Sequence, residues 1–186
     1  MSLVRFPHQR YASLELNQVA FPKTGMVVSQ TPLGSAFTAD NPCENGMWLL
    51  ADKAAGTLGA AAAVTDTPIG IVYSAEKLYN ISEQGLKNFC QVAGDYPRVG
   101  ILGLGDTVTT NCLQYDNTET GFTTAEALET TLKAWATTPI YVAIVAGSAI
   151  PKLTKSKPGS GIYGKVTKYY TLPNGEKAVK YEIVKL

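Results

Sequence analysis

Charged side chains, histidine and cysteine are all scarce in this chain of 186 residues. Asp, Glu, Lys and Arg make up 17% of it, below the roughly 25% of a typical soluble domain. They balance to a net charge of +1. A protein that holds nucleic acid through its phosphates needs clustered Lys and Arg. The one basic cluster, Lys152, Lys155 and Lys157, is broken by Pro158 and Gly159 and reads as a solvated loop, so nucleic acid is not an expected partner. His8 is the sole histidine, and Cys43, Cys90 and Cys112 lie far apart with no Cys-x-x-Cys pair. A structural zinc site needs about four nitrogen or sulfur ligands at short paired spacings, which excludes one. An odd number of distant thiols also argues against a disulfide framework, and reduced, buried thiols are expected, as in a protein that folds in a cytosol. Residues 1–11 lack the apolar stretch of about 7–15 residues that a secretory leader carries. The longest apolar run, around residues 141–146, is far below the ~20 residues that span a bilayer, so no membrane partner is expected.

What is present points to β-structure. The length suits one domain, 45% of the residues are apolar, and 17 Gly and 10 Pro punctuate the chain. A surface low in charge and rich in Thr and Gly suits a protein whose flanks are covered by neighbours; it suits an ordinary β-protein equally. Residues 1–24 mix Arg5, Phe6, Pro7, His8, Arg10 and Tyr11 with a short alternating piece and read as an N-terminal arm, disordered unless something ties it down. Residues 25–186 read as a single β-rich domain. Strands are expected at 25–29, 47–50, 69–73, 98–104, 106–113 and 140–146, where short apolar or β-branched runs are bounded by turn residues. An alanine-rich return at 57–64 is expected to pair with 47–50 across a turn at 52–56. Residues 74–95 read as irregular with one short helix, and 148–160, with Pro151 and Pro158, as a loop.

One helix is expected at 123–135. Thr123 and Glu126 match a T-x-x-E capping box, and Leu128, Leu132 and Trp135 fall on one face. The clearest supersecondary signal is a hairpin at 162–186, turning through Leu172-Pro173-Asn174-Gly175-Glu176. Val179, Tyr181 and Ile183 alternate with Lys180 and Glu182, the period of a half-buried strand.

Motifs for chemistry fail on inspection. Gly159 to Lys165 approximates a phosphate-binding P-loop, but Val166 occupies the position of the Mg²⁺-binding Ser or Thr, and the stretch opens a strand rather than a helix. Gly100, Gly103 and Gly105 do not complete a dinucleotide fingerprint, and no βαβ unit surrounds them. A nucleophile–histidine pair would need His8 on the arm, where fixed geometry is lacking. The acid pairs Asp40/Glu44, Asp95/Asp106 and Asp116/Glu119 are the remaining possibility for acid–base or divalent-metal work, and surface loops carry such acids routinely. No catalytic residue, cofactor or metal is expected.

Ten Tyr against five Phe tilts the other way, because Tyr and Trp bury apolar area while keeping a polar tip at interfaces. The block 45–74 then resembles the head-decoration proteins of tailed bacteriophages, of the type found on phage lambda. The matching residues are Met47-Trp48-Leu49-Leu50-Ala51-Asp52, Thr57-Leu58 and Ile69-Gly70-Ile71-Val72; Pro97-Arg98-Val99-Gly100 and Gly105-Asp106-Thr107-Val108-Thr109-Thr110-Asn111 are similar to phage virion proteins. The resemblance implies a mainly β fold, a small β-barrel or β-tulip, that trimerises on the capsid exterior, clamps the major capsid protein and orders its arm on the shell. It implies a virion protein assembled in the host cytoplasm. Interface residues expected on this basis are Phe6, Arg10 and Tyr11 in the arm, Trp48 in the meander, and Tyr169 and Tyr170 in the hairpin. The capped helix and long terminal hairpin are additions to the compact family pattern. They equally suit a capsid-lattice protein, or a tail or fibre module that binds carbohydrate or a host receptor.

Overall fold

Alternating apolar and polar residues in the C-terminal part of the chain build its longest ladder. The computed structural model describes residues 2–21, 27–28, 31–51, 53–74 and 88–186. In it β10 (Tyr163–Thr171) and β11 (Lys177–Lys185) pair antiparallel as the expected hairpin. Val179, Tyr181 and Ile183 are buried, and Glu182 and Val184 face outward. The turn closes with the Leu172 N–H donating to Glu176 O (2.7 Å) and the Gly175 N–H to Leu172 O (2.9 Å). Gly175 sits at φ +87°, a left-handed conformation that favours glycine.

The remaining strands are β1 (Leu3–Arg5), β2 (Val27–Val28), β3 (Trp48–Leu50), β4 (Ile69–Val72), β5 (Val99–Ile101), β6 (Thr107–Thr110), β7 (Gln114–Asp116), β8 (Tyr141–Val145) and β9 (Ser148–Thr154). They form a seven-stranded sheet, ordered β1-β7-β9-β8-β10-β11-β6, and a four-stranded sheet, ordered β2-β5-β4-β3. Among the described residues the fold is mainly β with one α-helix, as expected.

The larger sheet is strongly curved. β6 ends it on one side and β7 lies next to β1 at the other, yet only residues 111–113 separate β6 from β7 in the chain. A chain advances at most ~3.6 Å per residue, so the sheet must roll until these two strands are neighbours. Among the described residues they exchange no ladder. Of the small β-barrel or β-tulip that the resemblance implies, no closed barrel forms among the described residues: the sheet is an open cylinder with a seam, where Asn111, Cys112 and Leu113 are fully buried.

The N-terminal segment fills that seam. The segment read as an N-terminal arm is tied down: residues 2–21 are built into the fold, and residues 1 and 22–24 lie outside the described residues. β1 pairs with β7, and the Phe6 N–H donates to Leu113 O (2.9 Å). Further along, Leu14 bridges Thr110 and Ala20 bridges Thr107 on the free edge of β6. The physical reason is that Phe6, Ala12 and Leu14 are all buried where two strand edges would otherwise stand unpaired.

Two buried carboxylates fasten this strap. Glu44 accepts from both Arg5 Nη atoms (3.3 and 2.8 Å) and from the Ala12 N–H (2.7 Å). Glu176, from the hairpin turn, accepts from the Gln9 N–H (2.9 Å), Asn111 Nδ2 (2.9 Å) and Asn174 Nδ2 (3.2 Å). Gly46 (φ +97°) packs under the seam, where an added Cβ would stand 2.5 Å from Thr110 Oγ1 and 2.6 Å from Cys112 Cβ.

Other expectations change for local reasons. β3 pairs directly with β4. The alanine-rich return at 57–64 forms no strand and contributes isolated bridges at Leu58 and Gly59, in keeping with the low strand preference of alanine. Residue 52 of the turn expected there, and residues 75–87 of the irregular stretch, lie outside the described residues. The region read as a loop at 148–160 holds β9, between β7 and β8. Its Pro151 falls where the β8–β9 register slips between Ala143 and Val145, a bulge position at which proline is tolerated. α1 (Ala125–Lys133) forms as expected, but its cap is Thr124, whose hydroxyl accepts from the Ala127 N–H (3.2 Å), rather than Thr123.

Glu44→Ala removes three hydrogen bonds and leaves the Arg5 guanidinium without its partner. A loss of about 2–4 kcal/mol of stability is expected, checked by urea denaturation, together with faster protease cutting within residues 2–21.

Candidate interaction surface

α1 lies against the strap and the hairpin because its apolar face demands cover. Leu128 and Leu132 are buried, while Glu126 and Thr130 are exposed and polar. The Thr130 hydroxyl donates back to Glu126 O (2.8 Å), and Glu129 pairs with Lys133 one turn on (3.0 Å). Between helix, strap and hairpin lies a groove of about 240 Å³. Leu128, Leu132, Phe6 and Tyr169 give it an apolar floor, with Glu126, Glu129 and Lys177 at its edges. Lys177 is steadied by donating to Thr171 Oγ1 (2.8 Å). Burial, and secondarily the Glu129 charge, push the Tyr169 hydroxyl up to about 12.

The six residues expected at an interface separate into four settings. Phe6 and Trp48 are each 2% exposed and belong to the core, so as free contact residues they are corrected; Phe6 reaches the surface only as part of the groove floor. Trp48 instead ties the sheets together. Its Nε1–H on β3 donates to the Tyr181 hydroxyl on β11 (3.0 Å), and the rings lie 6.0 Å apart. Burial raises the Tyr181 hydroxyl far above the usual tyrosine range. Arg10 and Tyr11 remain at the strap surface, with the guanidinium 5.3 Å over the ring; a hydrogen bond with the Cys90 thiol holds Tyr11 above its ordinary value. Tyr169 lines the groove. Tyr170, the next residue along β10, is hydrogen-bonded to Gln18 Oε1 of the strap.

Five of the six acids in the acid pairs accept hydrogen bonds that fasten the chain. Glu44 holds the strap; Asp95 accepts from the Val92 N–H (2.8 Å) and Asp106 from the Gly103 N–H (2.6 Å). Asp116 accepts from the Thr118 hydroxyl (2.7 Å), which holds its carboxyl below the usual range. Glu119 accepts from the Lys155 N–H (2.6 Å). All three cysteines are free, and burial raises the Cys43 and Cys112 thiols. Among the described residues no group of three or more His, Cys, Asp or Glu side chains is placed to hold a metal ion. No helix among them is long and apolar enough to cross a membrane.

Sequence reasoning did not find the groove. The Leu128/Leu132 stripe was visible, but its meeting with Phe6 and Tyr169 depends on the strap, which has no local signal. No protein-family model matches the chain, and no curated protein or solved structure matches it significantly.

Tyr169 keeps its proton longer in the folded than in the unfolded chain, so its contribution to stability is present below about pH 10 and lost as the pH rises towards about 12. An absorbance titration of tyrosinate is expected to lose one late-titrating component in Tyr169→Phe. Glu129→Gln is expected to move that component to lower pH, and an unmoved profile would exclude the helix charge as a contributor.

Proposed function

We propose that this chain is a virion structural protein, a capsid decoration or auxiliary protein that binds the phage head and bridges neighbouring capsid subunits. Its partners in this reading are the major capsid protein and further copies of itself, with a trimer as the bound form. The observation that carries it is the groove, an apolar concavity of about 240 Å³ large enough for a side chain from a neighbouring subunit. The resemblance of the 45–74 block to head-decoration proteins supplies the identity of that neighbour.

Burying one apolar side chain contributes about 1.5–3 kcal/mol. That is too little for a stable complex by itself, since a micromolar contact needs about 8 kcal/mol. Repeated engagement on a lattice multiplies weak contacts through effective concentration, which suits a protein that assembles on a shell rather than one that captures a free partner.

Light scattering and co-sedimentation with empty shells of the major capsid protein from the same genome test the reading. Expected is binding at fixed stoichiometry, reduced about five- to tenfold in affinity by Tyr169→Ala. A monomer that ignores shells and is retained on a glycan array would replace this reading with the tail or fibre module.

A further inference from the structure

Across the hairpin, Lys168 of β10 stands directly opposite Lys180 of β11. Val179 and Tyr181, which flank Lys180, are buried, whereas Lys168 is exposed and Lys180 half-buried. The two lysines therefore share the outer face of the sheet. Residues directly opposite in an antiparallel pair are about 4.5–5.5 Å apart at Cα, and like charges placed there destabilise it.

The surroundings hold this repulsive pair in place. Thr167 falls where the register slips between Val166 and Lys168, and its hydroxyl donates to the Lys180 carbonyl (3.3 Å). The Lys168 ammonium lies 5.3 Å over the Tyr170 ring, and Tyr170 is itself tied to Gln18. Further along the same face Lys165 stands opposite Glu182. On the strap, Glu15 is close enough for its charge to act on Tyr170. Among the described residues the ion pairs are Arg5–Glu44 and Lys133–Glu129, so neither Lys168 nor Lys180 is in an ion pair. Three lysines thus share this face with Glu182, with Glu15 of the strap beside Tyr170, in a chain whose net charge is +1.

We propose that this face of the hairpin is a docking surface for an acidic segment of a partner protein, with a carboxylate seated between Lys168 and Lys180. The two oxygens of a carboxylate can accept from two ammonium groups one strand apart, which would turn the repulsion into attraction. A nucleic-acid strand instead needs a track of several phosphate contacts, and the next cation on this face, Lys165, already faces Glu182. The inference rests on the bridging reading above and names the chemistry that the neighbouring subunit presents.

Fluorescence anisotropy of a labelled hexaglutamate peptide with the full chain at low ionic strength tests the surface without any shell. Saturable binding is expected, weakened at least about fivefold in the Lys168→Gln/Lys180→Gln double variant and unchanged in Lys157→Gln. The double variant is also expected to melt about 1–3 °C higher, because the repulsive pair is gone. Equal peptide binding by wild type and double variant overturns the proposal, as does tighter binding of a labelled oligothymidine 12-mer than of the peptide. Peptide binding that follows expectation in a protein that ignores shells upholds the acidic docking surface and removes the shell as its partner.

Discussion

The fastening of the N-terminal strap by Glu44 and Glu176 is the interaction on which the rest of the structure depends. A carboxylate withdrawn from water is costly unless its oxygens find donors. Here the donors come from the strap: Arg5 and the Ala12 N–H for Glu44, and the Gln9 N–H for Glu176. The strap is thereby held across the seam of the rolled sheet. Without it, β6 and β7 would each present a strand edge, a template for unwanted pairing. The same bonds that satisfy two buried charges therefore complete the sheet.

A second constraint joins the sheets. Trp48 and Tyr181 meet from β3 and β11, so the small sheet is bolted to the middle of the hairpin rather than to its rim. The hairpin then serves three environments. Val179 and Ile183 face the core, Tyr169 lines the groove beside α1, and Lys168 and Tyr170 take the outer face. Successive residues of a strand point to opposite sides, and the register slip before Lys168 determines which residues take each side. The groove and the basic face are thus carried by the same two strands.

The sequence made the local features legible. The hairpin was readable because Val179, Tyr181 and Ile183 alternate with polar residues, and α1 because Leu128 and Leu132 repeat at helical spacing. β4 was readable as a short β-branched run. What escaped depends on residues far apart in the chain. Nothing near Phe6 or Leu14 reveals that β7 and β6 leave edges for them, and Glu176 has no local signature as an anchor for Gln9. Pro151 signalled a loop because a bulge that accommodates it is visible only once β8 is alongside. Phe6 and Trp48 looked like contact residues for the same reason: aromatic character is written in the sequence, and burial is not. Of the groove, the helix stripe was legible and Phe6 and Tyr169 were singled out separately, but not the strap that brings them together.

The bond between the Gln9 N–H and Glu176 spans 167 positions, and this has a consequence for biosynthesis. Gln9 leaves the ribosome long before its anchor Glu176 is made. Between the synthesis of β7 and that of Glu176 the strap can engage β7 and the Glu44 site but lacks its second fastener, and β6 lacks β11, its ladder neighbour. Such long-range closure slows folding and prolongs the lifetime of open edges. The strap is therefore fully fastened only after the hairpin turn that carries Glu176 has been made.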